Sequence, residues 1–411
     1  MEIRPILSAL LRNKTGPVLV AVQVALSLAI LANALHIVQV RQAVSARESG
    51  LQNERDVFAL QIRQLQAGPH EEQLAKQLRA AEVLRAVPGV TSVATSWQMP
   101  LSRSGNYTSL AVDRKQTTPT ANASIYRSAD SLIKTWGLQL VEGRDFLPGE
   151  APVIDQNVTD DNGKVAIVTR KLAEKMWPGS SSYVGKTMYF GMGDGAREVR
   201  IVGVIEKLQT PGAQISEQGE FSALIPLRAT GGRTFNFTLR AEPGQLDRVM
   251  KEAEAAARAS SAQPIIVRLR TMDELRATRY RADKALAWML LTVSVLLLLI
   301  TASGIVGMAS LWVTQRRKQI GVRRALGARR ADILRYFLTE NFMITSAGIG
   351  AGVLLALGLN QLLVSQLELA RLPPAYLVGG AVIFWALGAV AVYGPAWRAA
   401  SISPATATRT A

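Results

Sequence analysis

Four long apolar runs restrict what this chain can fold into more than any other feature of its sequence. Each is free of charged residues, and they lie at Val18–Val40, Ala285–Val313, Phe342–Val364 and Ala375–Pro395. A helix needs roughly 20 residues to cross the hydrocarbon core, and in lipid only a helix or a closed barrel satisfies its own backbone. The sequence therefore predicts four transmembrane helices, which we place at 18–40, 285–313, 336–363 and 375–395.

The distribution of basic residues predicts the topology. The segments 1–17, 314–335 and 395–411 together hold 13 Lys and Arg residues and two acids, so they supply +11 of the formal net charge of +16. The positive-inside rule places such short segments in the cytoplasm. The high net charge is then mostly a topology signal, and we expect a lipid membrane and no nucleic acid as a partner.

The polar stretch 41–284 is predicted to be an extracytoplasmic α+β domain. Strand–helix–strand patterns at 56–95 and 235–270 are interpreted as one subdomain, with a strand-rich insertion at about 105–230. Thr271 and Glu274 form a capping box. This box predicts a helix from about 272 that continues into the second span as a stalk. The chain has no cysteine, so the domain must fold without disulfides.

The first apolar run is predicted to be a retained helix. Ala32-Asn33-Ala34 resembles a cleavage site for a signal peptide, but the run continues past it to Val40. Before the run, Ile3, Leu7 and Leu10 recur at helical spacing among basic residues. We interpret 1–17 as a cytoplasmic amphipathic segment and 396–411 as a cytoplasmic tail.

No group of residues in the sequence predicts catalysis or metal binding. Gly179–Thr187 resembles a phosphate-binding loop, but five residues rather than four separate its two glycines. We interpret it as a surface turn before a strand. His36 and His70 are the only histidines, and no metal-ligand spacing accompanies them. We therefore expect no catalytic residue, no metal and no cofactor in this chain.

Small and polar residues inside the apolar runs are candidate helix contacts. Two small-xxx-small pairs, Ser303 with Gly307 and Gly348 with Gly352, would let helices approach closely. They fit packing within one protomer and packing between two protomers equally well. Three polar residues of the first run fit either a lateral substrate path or simple helix contacts: Gln23, Asn33 and His36.

The stretch Gln315–Arg335 lies between two apolar runs and holds eight basic residues and one acid. A positive-inside anchor needs only a few cations. Gly321 and Gly327 divide the stretch into short pieces that also contain apolar residues. A short helix that displays Ile320 and Leu326 among arginines is predicted to dock into a groove on a soluble partner.

This stretch resembles the cytoplasmic loop of MacB/FtsX-type ABC transporter permeases. The matching positions are Ile320, Gly321, Arg324, Ala325, Gly327, Ala328, Asp332 and Ile333. The tail "PAWRAASISPATATR" resembles the closing motif of the same family, at Pro395, Arg398, Ala399, Ala400 and Pro404. "VPGVTSVA", "LQLVEGRDF" and "REVRIVGVIEKL" resemble landmarks of the MacB-type periplasmic core domain.

The resemblance implies a non-catalytic permease subunit of the bacterial inner membrane, coupled to ABC ATPase subunits that bind ATP and Mg²⁺. It implies a dimer with a second copy or a related permease and, for an efflux assembly, a membrane-fusion protein and an outer-membrane channel. The coupling residues would be Gln319, Ile320, Gly321, Arg323, Arg324, Ala325, Leu326, Gly327, Ala328 and Asp332. Gln319 departs from the family glutamate, so that it offers neutral hydrogen bonds where a carboxylate would carry charge.

Three functions of different classes are compatible with these observations. The first is a MacB-like permease that moves its extracytoplasmic domain for efflux or extraction of envelope substrates. The second is an FtsX-like regulator that activates an envelope hydrolase without transport. The third is an envelope receptor or adhesin without an ATPase. MacB carries a fused nucleotide-binding domain, and none is recognisable in this sequence, so we expect the ATPase on a separate polypeptide.

Overall fold

The computed structural model describes residues 14–66, 68–103, 105–159, 163–212, 216–367 and 371–401. The chain divides into two compact units. One is the large domain, Ala43–Ala282, and the other is the helical unit, which comprises Met1–Gln42 and Asp283–Ala411. The amphipathic segment predicted before residue 14 and the motif residue Pro404 lie outside the described residues.

The helices of the described residues are numbered in chain order. They are α1 (Thr15–Ser45), α2 (His70–Arg85), α3 (Leu132–Trp136), α4 (Arg170–Met176), α5 (Leu246–Ala259), α6 (Met272–Gln315), α7 (Arg317–Ala325), α8 (Arg330–Leu367) and α9 (Pro374–Ala400). Short 3₁₀ helices lie at Glu54–Asp56, Gly193–Gly195 and Glu217–Glu220.

The strands of the described residues all belong to the large domain. They are β1 (Val57–Gln64), β2 (Val90–Thr95), β3 (Tyr107–Ala111), β4 (Ala121–Ser128), β5 (Leu140–Gly143), β6 (Val153–Asp155), β7 (Val165–Thr169), β8 (Thr187–Phe190), β9 (Arg197–Ile205), β10 (Ser222–Pro226), β11 (Arg228–Thr230), β12 (Thr234–Ala241) and β13 (Ile265–Thr271).

Among the described residues, the helical unit contains four helices long and apolar enough to cross a membrane, namely α1, α6, α8 and α9. The large domain lies between the first and second of them in the sequence. The predicted fold class, four membrane helices with a mixed α+β domain after the first, is therefore confirmed. The span limits themselves stay predictions, because the end of a helix does not mark the edge of a bilayer.

The helical unit is built around α1, which is the most buried of the four long helices, while α6 is the most exposed. Val24 and Leu28 of α1 are fully buried in an apolar cluster that also contains Phe384 of α9 and Phe337 of α8. Large apolar side chains on α6, such as Trp288 and Leu299, are exposed. This pattern fits a helix bundle whose outer surface is solvated by lipid.

The large domain contains a four-stranded antiparallel sheet in the order β13-β1-β12-β2. Its strands come from the two ends of the domain. Phe58, Leu60 and Ile62 alternate along β1 and bury one face of the sheet with residues of α2 and α5. Side chains alternate across a strand, so Gln61 and Arg63 lie on the opposite face. Gln61 Nε2 donates to Asn236 Oδ1 of β12 at 2.9 Å on that face.

The middle of the large domain, from β3 to β11, forms the other two sheets. A seven-stranded mixed sheet has the order β5-β9-β7-β10-β4-β3-β8, and β8 also pairs with β9. This second pairing closes six of the strands into a ring, and β5 stays outside the ring beside β9. Leu110, Ile125 and Ile201 are buried in the cluster that this sheet forms with α4. A small parallel pair, β6 with β11, completes the domain.

Candidate functional site

The basic loop, residues 314–335, contains the short helix α7 between α6 and α8. Its C-terminus depends on Gly327, whose φ of +96° lies in the left-handed region. Gly327 N donates to Arg324 O at 3.1 Å, and Ala328 N donates to Arg323 O at 3.1 Å. These two bonds form a Schellman motif, which ends a helix and favours glycine at this position. Gly327 therefore determines where α7 stops and where the chain turns into α8.

The start of α8 depends on Asp332. Its Oδ2 accepts a hydrogen bond from Arg329 N at 2.9 Å, immediately before α8 begins at Arg330. The carboxylate satisfies a backbone donor that the helix cannot satisfy itself, and its charge interacts favourably with the helix N-terminus. The one acid of the loop therefore has a local structural role.

One face of α7 packs against the other helices of the helical unit. Ile320 is only 5% exposed and lies in the apolar cluster with Ala399 and Ala400 at the end of α9. Arg324 Nη1 donates to Ala400 O at 2.7 Å. The prediction that Ile320 is displayed together with Leu326 is therefore wrong, because the side chain of Ile320 points to the face of α7 that the bundle covers. The small residues of the closing motif leave room for this contact.

The other face of α7 is exposed. Val322 is 52% exposed, and Leu326, the residue that caps the C-terminus of α7, is 83% exposed. Leu326 N donates to Val322 O at 3.0 Å, so the two residues are one helical turn apart. Residues at this spacing lie on the same face. Gln319, Arg323 and Ala325 are exposed as well. α7 therefore presents two apolar side chains, those of Val322 and Leu326, on the face opposite Ile320.

A buried ion pair fixes the junction between α6 and α7. Arg316 Nη1 lies 2.9 Å and 2.7 Å from the two carboxylate oxygens of Glu340 in α8. The side chain of Glu340 is 1% exposed and that of Arg316 is 21% exposed. Burial lowers the pKa of Arg316, but the hydrogen bond to Glu340 and the electrostatic effects of Glu340 and Tyr336 together raise it by more, so the pKa is raised overall and the guanidinium stays charged. The guanidinium of Arg323 lies 5.1 Å from the ring centre of Tyr336.

Seven of the ten predicted coupling residues thus divide into two groups. Ile320, Gly321 and Arg324 contact the bundle, whereas Gln319, Arg323, Ala325 and Leu326 are exposed. Glu340 and Tyr336 were missed by sequence reasoning. The sequence contains a signal that could have revealed Glu340, because this residue is a lone acid at the start of an apolar run that follows a basic loop.

Comparison with known proteins decides the family. Residues 23–256 match the model of the MacB-like periplasmic core domain, and residues 291–404 match the model of the FtsX-like permease C-terminal region. The chain belongs to the MacB-like permease family. The predicted resemblance is confirmed.

Relatives of this MacB-like permease are named as ATP-binding/permease proteins. The macrolide export ATP-binding/permease protein MacB of Chromobacterium violaceum is 25% identical over 292 residues, which covers 69% of this chain and 42% of the relative. MacB of Acinetobacter baylyi is 24% identical over 303 residues, with coverage of 70% and 42%. The pyoverdine export ATP-binding/permease protein PvdT of Pseudomonas savastanoi pv. phaseolicola is 37% identical over 128 residues, with coverage of 31% and 19%. The chain spans less than half the length of these relatives.

The glycine pairs predicted for helix packing differ in their surroundings. A Cβ added to Gly348 would lie 2.7 Å from Ala21 O, and one added to Gly352 would lie 3.0 Å from Ala25 Cα, both in α1. Ser303 and Gly307 of α6 are exposed, and no described atom lies within 4 Å of a Cβ built on Gly307. Gly348 and Gly352 therefore both contact α1 within this protomer.

The polar residues of α1 contact the other helices. Ser27 Oγ lies 2.9 Å from Thr301 Oγ1 of α6, and Asn33 Nδ2 donates to Ala356 O of α8 at 3.1 Å. The ring of His36 lies 5.4 Å from that of Tyr376 in α9. A Cβ on Gly304 would lie 2.5 Å from Gln23 Oε1. These contacts favour helix packing over a substrate path for the polar residues of α1.

Proposed function

We propose that this chain is the membrane subunit of a MacB-like ABC transporter and that α7 receives the movement of an ATPase. The observation that carries the proposal is the two-sided environment of α7. Its inner face is fixed by Ile320, by the Arg324 bond to Ala400 and by the ion pair at Arg316, while Val322 and Leu326 are exposed. A helix held on one side and apolar on the other is suited to bind a groove on a partner.

The names of the relatives support an ATPase partner, since each contains both "ATP-binding" and "permease". The ATPase would bind ATP and Mg²⁺ and would lie on the cytoplasmic side, where the positive-inside rule places the basic loop. The large domain would then lie outside the inner membrane. Two copies, or this chain with a related permease, would bring two ATPases together, and a membrane-fusion protein and an outer-membrane channel would complete an efflux assembly.

The helix α6 would transmit the movement. It is continuous from Met272 to Gln315, and at 1.5 Å per residue its 44 residues extend about 66 Å. Its backbone hydrogen bonds are internal, so a displacement of one end is carried along the axis. We propose that this displacement moves the large domain for efflux or extraction of envelope substrates. A substrate need not cross the bilayer through this chain.

The replacement Leu326→Asp tests docking with little effect on folding, because the side chain is 83% exposed. We expect loss of ATPase co-purification and of ATPase activity stimulated by the permease in membranes. Leu147→Asp, the same change at an exposed leucine of the large domain, is the matched control and should keep both. Undiminished stimulation in Leu326→Asp would refute docking through this face.

Charge reversal at Arg323 and Arg324 or the change Gly321→Pro is also expected to abolish coupling while membrane insertion persists. These variants are less selective than Leu326→Asp, because Arg324 holds Ala400 and Gly321 is buried. A displaced α7 would by itself account for a loss of activity in them. Leu326→Asp separates docking from anchoring.

An FtsX-like regulator of an envelope hydrolase is the second candidate, and the match of residues 291–404 to the FtsX-like model supports it. The match of residues 23–256 to a MacB-like domain favours efflux. A peptidoglycan hydrolase that binds the large domain and depends on the ATPase for activity would favour regulation.

A further inference from the structure

The large domain contains a polar cavity of about 270 Å³ beside the four-stranded sheet. Three arginines line it, Arg127, Arg228 and Arg233, together with neutral polar side chains such as Gln77 and Asn236. The described residues that line the cavity include no Asp or Glu. The cavity is therefore a concentration of hydrogen-bond donors and positive charge.

One of the arginines that line the cavity, Arg228, shares its carboxylate partner with a second arginine. Arg228 Nη2 lies 3.5 Å from Asp130 Oδ1, and Arg228 Nη1 donates to Gln77 Oε1 at 3.2 Å. The same oxygen of Asp130 accepts from Arg85 at 2.9 Å. Two arginines thus share one carboxylate, so this group of three side chains carries a net positive charge. An anion that enters it would meet an attractive field.

Trp97 gives the cavity an apolar wall. It is 37% exposed, and the guanidinium of Arg127 lies 5.0 Å from the centre of its ring. Trp97 also lines a second cavity of about 370 Å³, which shares Ser96 and Asn236 with the first. The lining of the second cavity includes Arg268 and Arg270, again without an acid among the described residues. An aromatic ring therefore lies where two arginine-lined spaces adjoin.

We propose that these adjoining cavities bind a small molecule that carries a carboxylate on a flat or apolar group. A guanidinium presents N–H donors in a planar fork that matches a carboxylate, and the exposed ring of Trp97 offers area for stacking. The volumes are near the lower end of ligand pockets in proteins, roughly 300–1,000 Å³. The site is independent of the proposed coupling, since binding to it requires neither ATP nor an ATPase.

Fluorescein is a suitable probe because it joins a carboxylate to a flat ring system. Fluorescence anisotropy with the full-length chain in a neutral detergent is expected to show saturable binding. Arg127→Gln and Trp97→Ala should each weaken it about tenfold, the first through loss of a charge-assisted contact and the second through loss of the stacking surface. Arg114→Gln, which removes the same charge from an exposed arginine elsewhere in the large domain, should leave the affinity unchanged. Thermal unfolding of each variant shows whether it folds. If Arg127→Gln or Trp97→Ala fails to fold, the affinity of the other variant tests the proposal.

Three results would overturn the proposal: no saturable binding, equal weakening by Arg114→Gln, or equal binding of rhodamine 123, a cation with a similar ring system. Competition at matched ionic strength tests the chemical class. Citrate should displace fluorescein at lower concentration than inorganic phosphate does. Equal displacement by both would overturn the carboxylate assignment.

Discussion

Replacement of Arg316 by glutamine should destabilise the helical unit more than replacement of its partner Glu340. Arg316→Gln leaves the Glu340 carboxylate, only 1% exposed, without its cation. Removal of one partner of a buried ion pair costs about 3–5 kcal/mol. Glu340→Gln should cost less, about 1–3 kcal/mol, because the amide oxygen still accepts from Arg316, whose side chain is 21% exposed and reaches solvent.

The double variant Arg316→Gln with Glu340→Gln decides between a charge effect and a packing effect. It leaves no unpaired charge, so it should be more stable than Arg316→Gln alone, by about 1–3 kcal/mol. Thermal unfolding midpoints of the full-length chain in one detergent would be compared for all four proteins. A double variant as unstable as the sum of the single variants would show that the two residues do not act as a pair.

Three further predictions concern single positions. Gly327→Ala should cost about 1 kcal/mol, because φ is +96° there, and should speed amide hydrogen exchange across 317–328; Gly350→Ala, at a helical glycine with open space around it, should not. Gly348→Leu should disrupt packing against α1, where a Cβ already lies 2.7 Å from a backbone oxygen, and should lower the unfolding midpoint far more than Gly350→Leu. The hydrogen bond from Arg144 holds the pKa of Glu150 below its ordinary value of 4.5. The ionised carboxylate of Glu150 therefore stabilises the folded chain above pH 4.5, and this stabilisation is lost as the pH falls through the lower pKa of the folded state. The difference in unfolding midpoint between the native chain and Glu150→Gln should therefore shrink over that range, and a constant difference would contradict the assignment.

The membrane helices were predictable because lipid leaves the backbone few alternatives. Four uncharged runs of sufficient length read directly as helices, and the positions of Thr271 and Glu274 indicate the start of α6. In the structure Glu274 N donates to Thr271 Oγ1 at 3.1 Å, and Thr271 N donates to Glu274 Oε2 at 3.1 Å. The capping box prediction is confirmed. Such local signals involve residues close in the sequence, so spacing alone reveals them.

Contacts between distant elements were not predictable in the same way. Whether Ile320 faces the bundle or the surrounding solvent depends on where α9 ends, and no spacing within α7 contains that information. The partner of Arg316 lies 24 residues away on another helix, and the pair forms only because α6 and α8 meet at that height. The order of the seven-stranded sheet likewise depends on non-local pairing, such as β10 beside β4. The predicted role of the coupling residues is to be tested by experiment.

The central position of α1 has a consequence for biosynthesis. Ser27 finds its partner 274 residues later in the chain, and Asn33 finds Ala356 after 323 residues. At a translation rate of roughly 5–20 residues per second, these residues wait about 15–60 s before their partners exist. During that interval the hydroxyl of Ser27 lacks its final partner, and the amide of Asn33 has only the bond from its Nδ2 to Ala29 O within the first helix.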